Sequence, residues 1–222
     1  MESRTRFVIV GALAIIVALI AWLTYRANSA PAGTVEIVDI GFQQDATPMS
    51  FALKIANGTS EPVAVNGLQV IHSNKFLLHD DDQGGQVPNS FQFAMHIMGE
   101  TEDGNLVALA PGDSAPVVPA HGSATVFGAI EWIVPEGAPP LLAIMNAEFA
   151  ALDADDMPIC QSAKCAIVLQ SEPGALHAAV ASTAATSEAA AAVADHMVTL
   201  EGRRSPAFRE LLKSVEAIAA GK

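Results

Sequence analysis

The sequence predicts a mainly β chain: an antiparallel β-sandwich preceded by a transmembrane helix and followed by a C-terminal helical extension. Three observations point there. An uncharged apolar run opens the chain from Phe7 to Tyr25, short apolar or alternating runs separated by turn residues fill 34–169, and the texture becomes Ala-rich after Pro173-Gly174. The divisions that follow are 1–26 for a cytoplasmic tail and anchor, 27–173 for an exported β domain, and 174–222 for the helical extension.

The first element is the run Phe7 to Tyr25, 19 residues without a charge. At 1.5 Å per residue it spans about 28 Å, close to the hydrocarbon thickness of a bilayer. Arg4 and Arg6 precede it, Trp22 and Tyr25 stand at its far end, and Arg26 follows. Aromatic rings favour the interface, and basic residues favour the cytoplasmic side. The expected topology is a single pass through an inner membrane, with the C-terminal domain in the periplasm. A cleaved signal peptide is the competing reading. Its apolar region is shorter, about 7–15 residues, and the triplet Ala30-Pro31-Ala32 places a proline at the cleavage site. Both readings export the rest of the chain.

The candidate strands, in order, are Val35–Phe42, Met49–Ala56, Val63–His72, Phe91–Met98, Leu106–Ala110, Ala124–Val134, Leu141–Ala151 and Pro158–Leu169, the last with a turn in its middle. Short strands punctuated at regular spacing, without long amphipathic helices between them, argue a sandwich or barrel. Met49–Ala56 alternates most clearly. Met49, Phe51, Leu53 and Ile55 take one face, and Ser50, Ala52, Lys54 and Ala56 the other, as a strand with one buried face requires. Asn57-Gly58 then signals a hairpin, although Thr59-Ser60-Glu61-Pro62 lengthens the loop.

Beyond Gly174 the run Ala175 to Ala194 has little bulky apolar surface and reads as a helical or partly flexible spacer. Ser205 as N-cap with Pro206 at the first helical position starts a second helix. Phe208, Leu211, Leu212, Val215 and Ile218 recur on one stripe of it. That stripe packs on its own domain, or Phe208, Leu211, Leu212 and Val215 dock on a partner.

Charge narrows the function classes. The 222 residues carry a net charge of −13, and the imbalance is local: residues 27–173 hold 18 acidic and three basic residues, whereas 174–222 hold five of each. A one-signed acidic domain repels phosphate backbones, which excludes nucleic acid as a partner. The same surface serves solubility, or docks a basic partner or a cation.

Few motifs carry chemistry. Cys160 and Cys165 bracket four residues in an exported domain, where thiols oxidise. The leading reading is a disulfide closing a tight hairpin, with free thiols or metal ligands as alternatives. Met95-His96-Ile97-Met98 offers thioether and imidazole donors of the kind that suit Cu(I). On a strand, Phe91, Phe93, Met95 and Ile97 share one face, leaving His96 and Met98 on the other; His72, His79, His121 and Met145 are conceivable completing ligands. The bland reading puts Met95 in the core and His96 and Met98 on the surface. Asp80-Asp81-Asp82-Gln83-Gly84-Gly85 lacks the ligand spacing and terminal Glu of a calcium loop and reads as a solvated acidic loop. No nucleophile elbow, zinc-protease helix, phosphate loop or dinucleotide fingerprint occurs, so no catalytic residue is expected.

The stretch Met49 to Val70 with its Asn57-Gly58-Thr59-Ser60 turn, followed by Pro119-Ala120-His121-Gly122-Ser123-Ala124-Thr125-Val126, resembles exported immunoglobulin-like accessory domains. The resemblance covers about half of the exported domain and rests on turn-and-strand texture. It implies a sandwich with a binding or scaffolding role: a non-catalytic, membrane-anchored periplasmic accessory or assembly module that binds a partner protein or membrane complex, with no cofactor. A second similarity is to periplasmic copper chaperones and implies, as the alternative, a copper-handling protein using His96 and Met98. Here His96-Ile97-Met98 precedes the Pro119–Gly122 turn, whereas the family's His-x-Met follows its Gly-containing turn.

Overall fold

Period-two alternation along one run of the chain and two-faced apolarity along another decide the layers. A computed structural model describes residues 31–43, 48–79, 92–101, 103, 105–110, 112–134, 141–176, 180 and 186–221. The anchor segment Phe7 to Tyr25 and the Asp80–Gly85 loop lie outside the described residues. Among the described residues, no helix is long and apolar enough to cross a membrane.

The fold is mainly β with antiparallel sheets, and among the described residues two helices of 12 and 14 residues follow the strands. The first sheet contains β1 (Val35–Phe42), β2 (Met49–Asn57), β5 (Gln92–Glu100), β6 (Leu106–Ala108) and β8 (Ser123–Ile133), in the spatial order β1-β2-β8-β5-β6. The second is built on β9 (Leu141–Leu152). β4 (Gly67–His79) pairs with β9 along its whole length. That leaves one edge, which β10 (Pro158–Gln161) and β11 (Cys165–Gln170) occupy in succession, opposite Ala150–Leu152 and Leu142–Ala147. β12 (Arg203–Arg204) extends the sheet in parallel on β11. A small pair, β3 (Val63–Ala64) with β7 (Val117–Val118), lies apart.

The two sheets share one core. Met49, Phe51, Leu53 and Ile55 of β2 meet Leu141, Met145 and Phe149 of β9, and the rings of Phe51 and Phe149 lie 4.5 Å apart. Gly128 of β8 belongs to this contact, because a Cβ there would stand 2.5 Å from the ring of Phe51. The turn expected after Asn57 is not a hairpin, since β2 pairs with β1 and β8 while β3 pairs with β7. Asn57 is instead buried: its amide donates to the carbonyls of Glu61 and Val118, and its carbonyl oxygen accepts from Thr59. Burying an amide is tolerable when its donors and acceptor are matched in this way.

β9 and β11 are apolar on both faces. Leu141, Met145, Ile167 and Leu169 point into the sheet-to-sheet core, while Leu142, Ile144, Ala166 and Val168 point the other way. A strand buried on both sides needs cover on both sides. The helices supply it: α1 (Ser187–Val198), capped by Thr186, and α2 (Pro206–Ala219), capped by Ser205, whose hydroxyl accepts from the Phe208 N–H at 3.2 Å. Residues expected to form an Ala-rich spacer therefore lie partly in a packed helix, with Ala190, Val193, Ala194 and Met197 buried. Alanine permits close helix approach rather than starving the interface. The second cluster draws residues from both sides of position 173, so the helical extension is a third layer on the sheet.

Candidate functional site

β5 delivers the sulfur and imidazole donors, and its pleat sorts them as the sequence predicts. Phe93, Met95 and Ile97 pack towards the sheet-to-sheet core. His96 and Met98, opposite Ala129 and Phe127 of β8, share the outer face. There His96 Nε2 lies 3.5 Å from a Glu131 carboxylate oxygen. The third donor near this pair is thus a hard oxygen rather than another soft ligand.

The completing ligands considered from sequence are dispersed. Met145 is wholly buried in the core, and His121 occupies the exposed Pro119–Gly122 turn at a left-handed φ of 51°. His79 ends β4, and its side chain lies outside the described residues. Among the described residues no group of three or more His, Cys, Asp or Glu side chains converges as a metal site.

His72 is brought to a different place, the inner face of β4 where it approaches β5. Leu68, Val70 and His72 of β4 and Phe93 and Met95 of β5 line one open cleft of about 420 Å³. The His72 ring meets the Phe93 ring edge-on, with centroids 5.2 Å apart, and its buried Nδ1 has no hydrogen-bond partner. Burial, then the Lys75 ammonium, lowers the imidazole pKa below 6.5, against a backbone hydrogen bond that raises it. The net shift favours the uncharged imidazole. Sequence reasoning placed His72 with His96; the register of β4 places it with Met95 instead. The only local signal was the alternation Leu68, Val70, His72, which puts all three on one face.

The disulfide expected between Cys160 and Cys165 is not formed, and both are free, buried thiols. The register gives the physical reason. Cys160 stands opposite Ala151 and Cys165 opposite Ala147 on the same edge of β9. Four positions along a strand separate them by about 13 Å, beyond the roughly 7 Å that a bridge tolerates. The segment between them is an irregularity in one continuous edge, not a hairpin. Ser162 fixes it by donating its N–H to the Phe149 carbonyl and accepting the Phe149 N–H on its hydroxyl. Burial pushes both thiols up to about 11, for Cys165 despite the nearby Arg203.

Of the two readings of the α2 stripe, packing on its own domain is the one observed, and the docking surface on Phe208, Leu211, Leu212 and Val215 is not. Phe208, Leu211, Leu212 and Val215 are all buried in the cluster that covers the outer face of β9 and β11. The Arg204 guanidinium lies over the Phe208 ring, 5.5 Å from its centroid. One further polar knot holds this layer. Buried Asn146 of β9 donates to the carbonyls of Cys165 and Glu201 and accepts from Asn74, tying the sheet to the segment between the helices.

No family model, curated protein or solved structure matches the chain.

Proposed function

We propose that the chain is a membrane-anchored periplasmic accessory module that holds a partner protein of a membrane complex and performs no catalysis. The observation that carries this reading is the coupling of a basic-flanked, uncharged 19-residue segment, Phe7 to Tyr25, to a folded β unit with 18 acidic and three basic residues. The segment has the length and flanks of a single-pass inner-membrane helix, and Arg4 and Arg6 orient the folded part to the periplasm. The texture shared with immunoglobulin-like accessory domains supports an immunoglobulin-like sandwich for the two sheets. Because the α2 stripe is buried within the chain, partner contact falls to the acidic surface, which favours a basic partner face.

The test is purification of the full chain in mild detergent at low salt. A partner in fixed stoichiometry, released as salt is raised, is the expected result; a lone monomer at low salt overturns the reading. Protease added to intact spheroplasts should digest the β unit, and its protection would overturn the topology. The alternative, copper handling through His96 and Met98, draws support from their shared face on β5. It predicts that His96→Ala/Met98→Ala weakens Cu(I) binding.

A further inference from the structure

The first half of β4, from Gly67 to Ser73, keeps unbroken register with Leu152 to Asn146 of β9, and among the described residues β9 is the only strand that it pairs with. Its other edge is a regular one, and the run Gly67-Leu68-Gln69-Val70-Ile71-His72-Ser73 contains no proline and no Asp, Glu, Lys or Arg. Such an edge is a template for a further strand, and folded chains ordinarily blunt it with charges, prolines or bulges. Here blunting begins only after Ser73, where the register slips before Phe76.

Beside this edge the sandwich is open. On one flank β10 closes on β1; on the other β4 approaches β5, but β6 carries the first sheet one strand further. Val107 of β6 stands opposite Gly99, on the face that Met95 and Ile97 turn inwards, yet it is 47% exposed. The open cleft of about 420 Å³ lies on this flank, with Leu68, Gln69, Val70 and His72 of β4 on one side and Phe93 and Met95 of β5 on the other. The second sheet is one strand short above β6.

We infer that this edge takes one extended segment of the basic partner protein proposed above, which adds to β4 as a strand along Gly67 to Ser73 and turns alternate apolar side chains over Phe93, Met95 and Val107. The inference rests on the accessory reading for the partner's identity. Main-chain pairing supplies affinity, and the cleft selects apolar side chains at every second position. The register sets the length, about seven residues or 23 Å. Two features choose the occupant. A second copy does not fit: pairing through its own β4 would bring the β5 beneath that strand into the place held by β6. Charge complementarity then favours Lys or Arg at the positions left in solvent, because residues 27–173 hold 18 acidic and three basic residues and Glu100 stands at the β5–β6 end of the flank.

The experiment titrates the full chain in phospholipid nanodiscs with a fluorescent, end-blocked peptide of alternating Lys and Val, about nine residues long to span the edge. Saturation at one peptide per chain is expected, with slowed deuterium exchange across Leu68 to His72. The same peptide methylated at every backbone nitrogen keeps its side chains but cannot donate to β4, and it should bind at least about 10-fold more weakly. Val107→Trp, which fills the place above β6, should weaken binding by a similar factor, whereas Val198→Trp, at an exposed position of α1, should bind as the parent does. Absence of binding, equal binding of the methylated peptide, parental affinity in Val107→Trp, or sedimentation of the parent as a dimer that Val107→Trp dissociates would each overturn the site. Failure of the two readings is distinguishable. A partner that co-purifies equally with Val107→Trp overturns this site and leaves the accessory reading standing, whereas a lone parent chain overturns the accessory reading while the peptide titration still decides the edge.

Discussion

Replacing Phe208 by alanine measures whether the helical layer is integral to the fold. Phe208 is 0% exposed, sits in the first turn of α2 and packs with Leu142, Ile144 and Val168 in the outer core of the second sheet. Truncating a buried Phe to Ala costs about 3–5 kcal/mol, from lost burial and the cavity left behind. That is a large share of the roughly 5–15 kcal/mol that holds a typical domain together. For a chain of this size each kcal/mol lowers Tm by about 2–4 °C, so Phe208→Ala should melt about 6–20 °C below the parent. The assay is thermal and urea unfolding of the full chain, followed by strand and helix signals together. Both signals should move as one transition, with an unchanged dependence on denaturant. A loss below about 1 kcal/mol, or early loss of the helical signal while the sheets persist, would refute the argument that β9 and β11 require this cover. Ser205→Ala, which removes only the cap, should cost about 1 kcal/mol and scale with it.

Other outcomes follow from single contacts. Gly202 and Gly174 both have φ of +89°, but a Cβ on Gly202 would stand 1.8 Å from the Lys164 carbonyl oxygen, while Gly174 faces open space. Gly174→Ala should therefore show only the left-handed strain of about 1–2 kcal/mol, and Gly202→Ala clearly more in the same urea titration; equal losses would remove the clash from the account. Cys160 and Cys165, with thiols raised to about 11, should react with a disulfide reagent at pH 8 only as fast as the chain unfolds, and rapid labelling of the native protein would contradict their burial. The depressed pKa of His72 means that the native state binds fewer protons than the unfolded one below pH 6.5. Its contribution is full above 6.5 and lost as pH falls towards the native value, so His72→Gln should flatten that part of the stability profile.

The sequence displayed what is periodic and concealed what is non-local. Alternation along Met49–Ala56 announced both the strand, observed as Met49–Asn57, and its buried face, because each residue there carries its own evidence. Ser205-Pro206 announced α2 in the same way. The target of the α2 stripe was not visible, because continuous apolarity in Leu141–Leu152 does not say whether one face or two are covered. Gln161-Ser162-Ala163-Lys164 has the composition of a hairpin turn, and only the pairing of both flanks with one edge of β9 shows that it interrupts a strand. His72 and Met95 each looked like an ordinary strand residue. Their meeting depends on β4 lying beside β5 across the seam between two sheets, and no spacing in the chain encodes that. The bulge between Ser73 and Phe76, with Asn74 at φ 49°, then turns Phe76 and Leu78 to the helical side and leaves His72 on the cleft side.

β9 has strands on both edges, a sheet against one face and helices against the other. Its amide hydrogens therefore have no local fluctuation by which to reach solvent, and they exchange with deuterium only when the whole molecule opens. The exchange rates of Ala143, Met145 and Ala147 would then report global unfolding free energy directly, without denaturant. A ligand that binds only the folded chain, whether a metal ion or a protein, would slow these few amides by the factor its own affinity and concentration set.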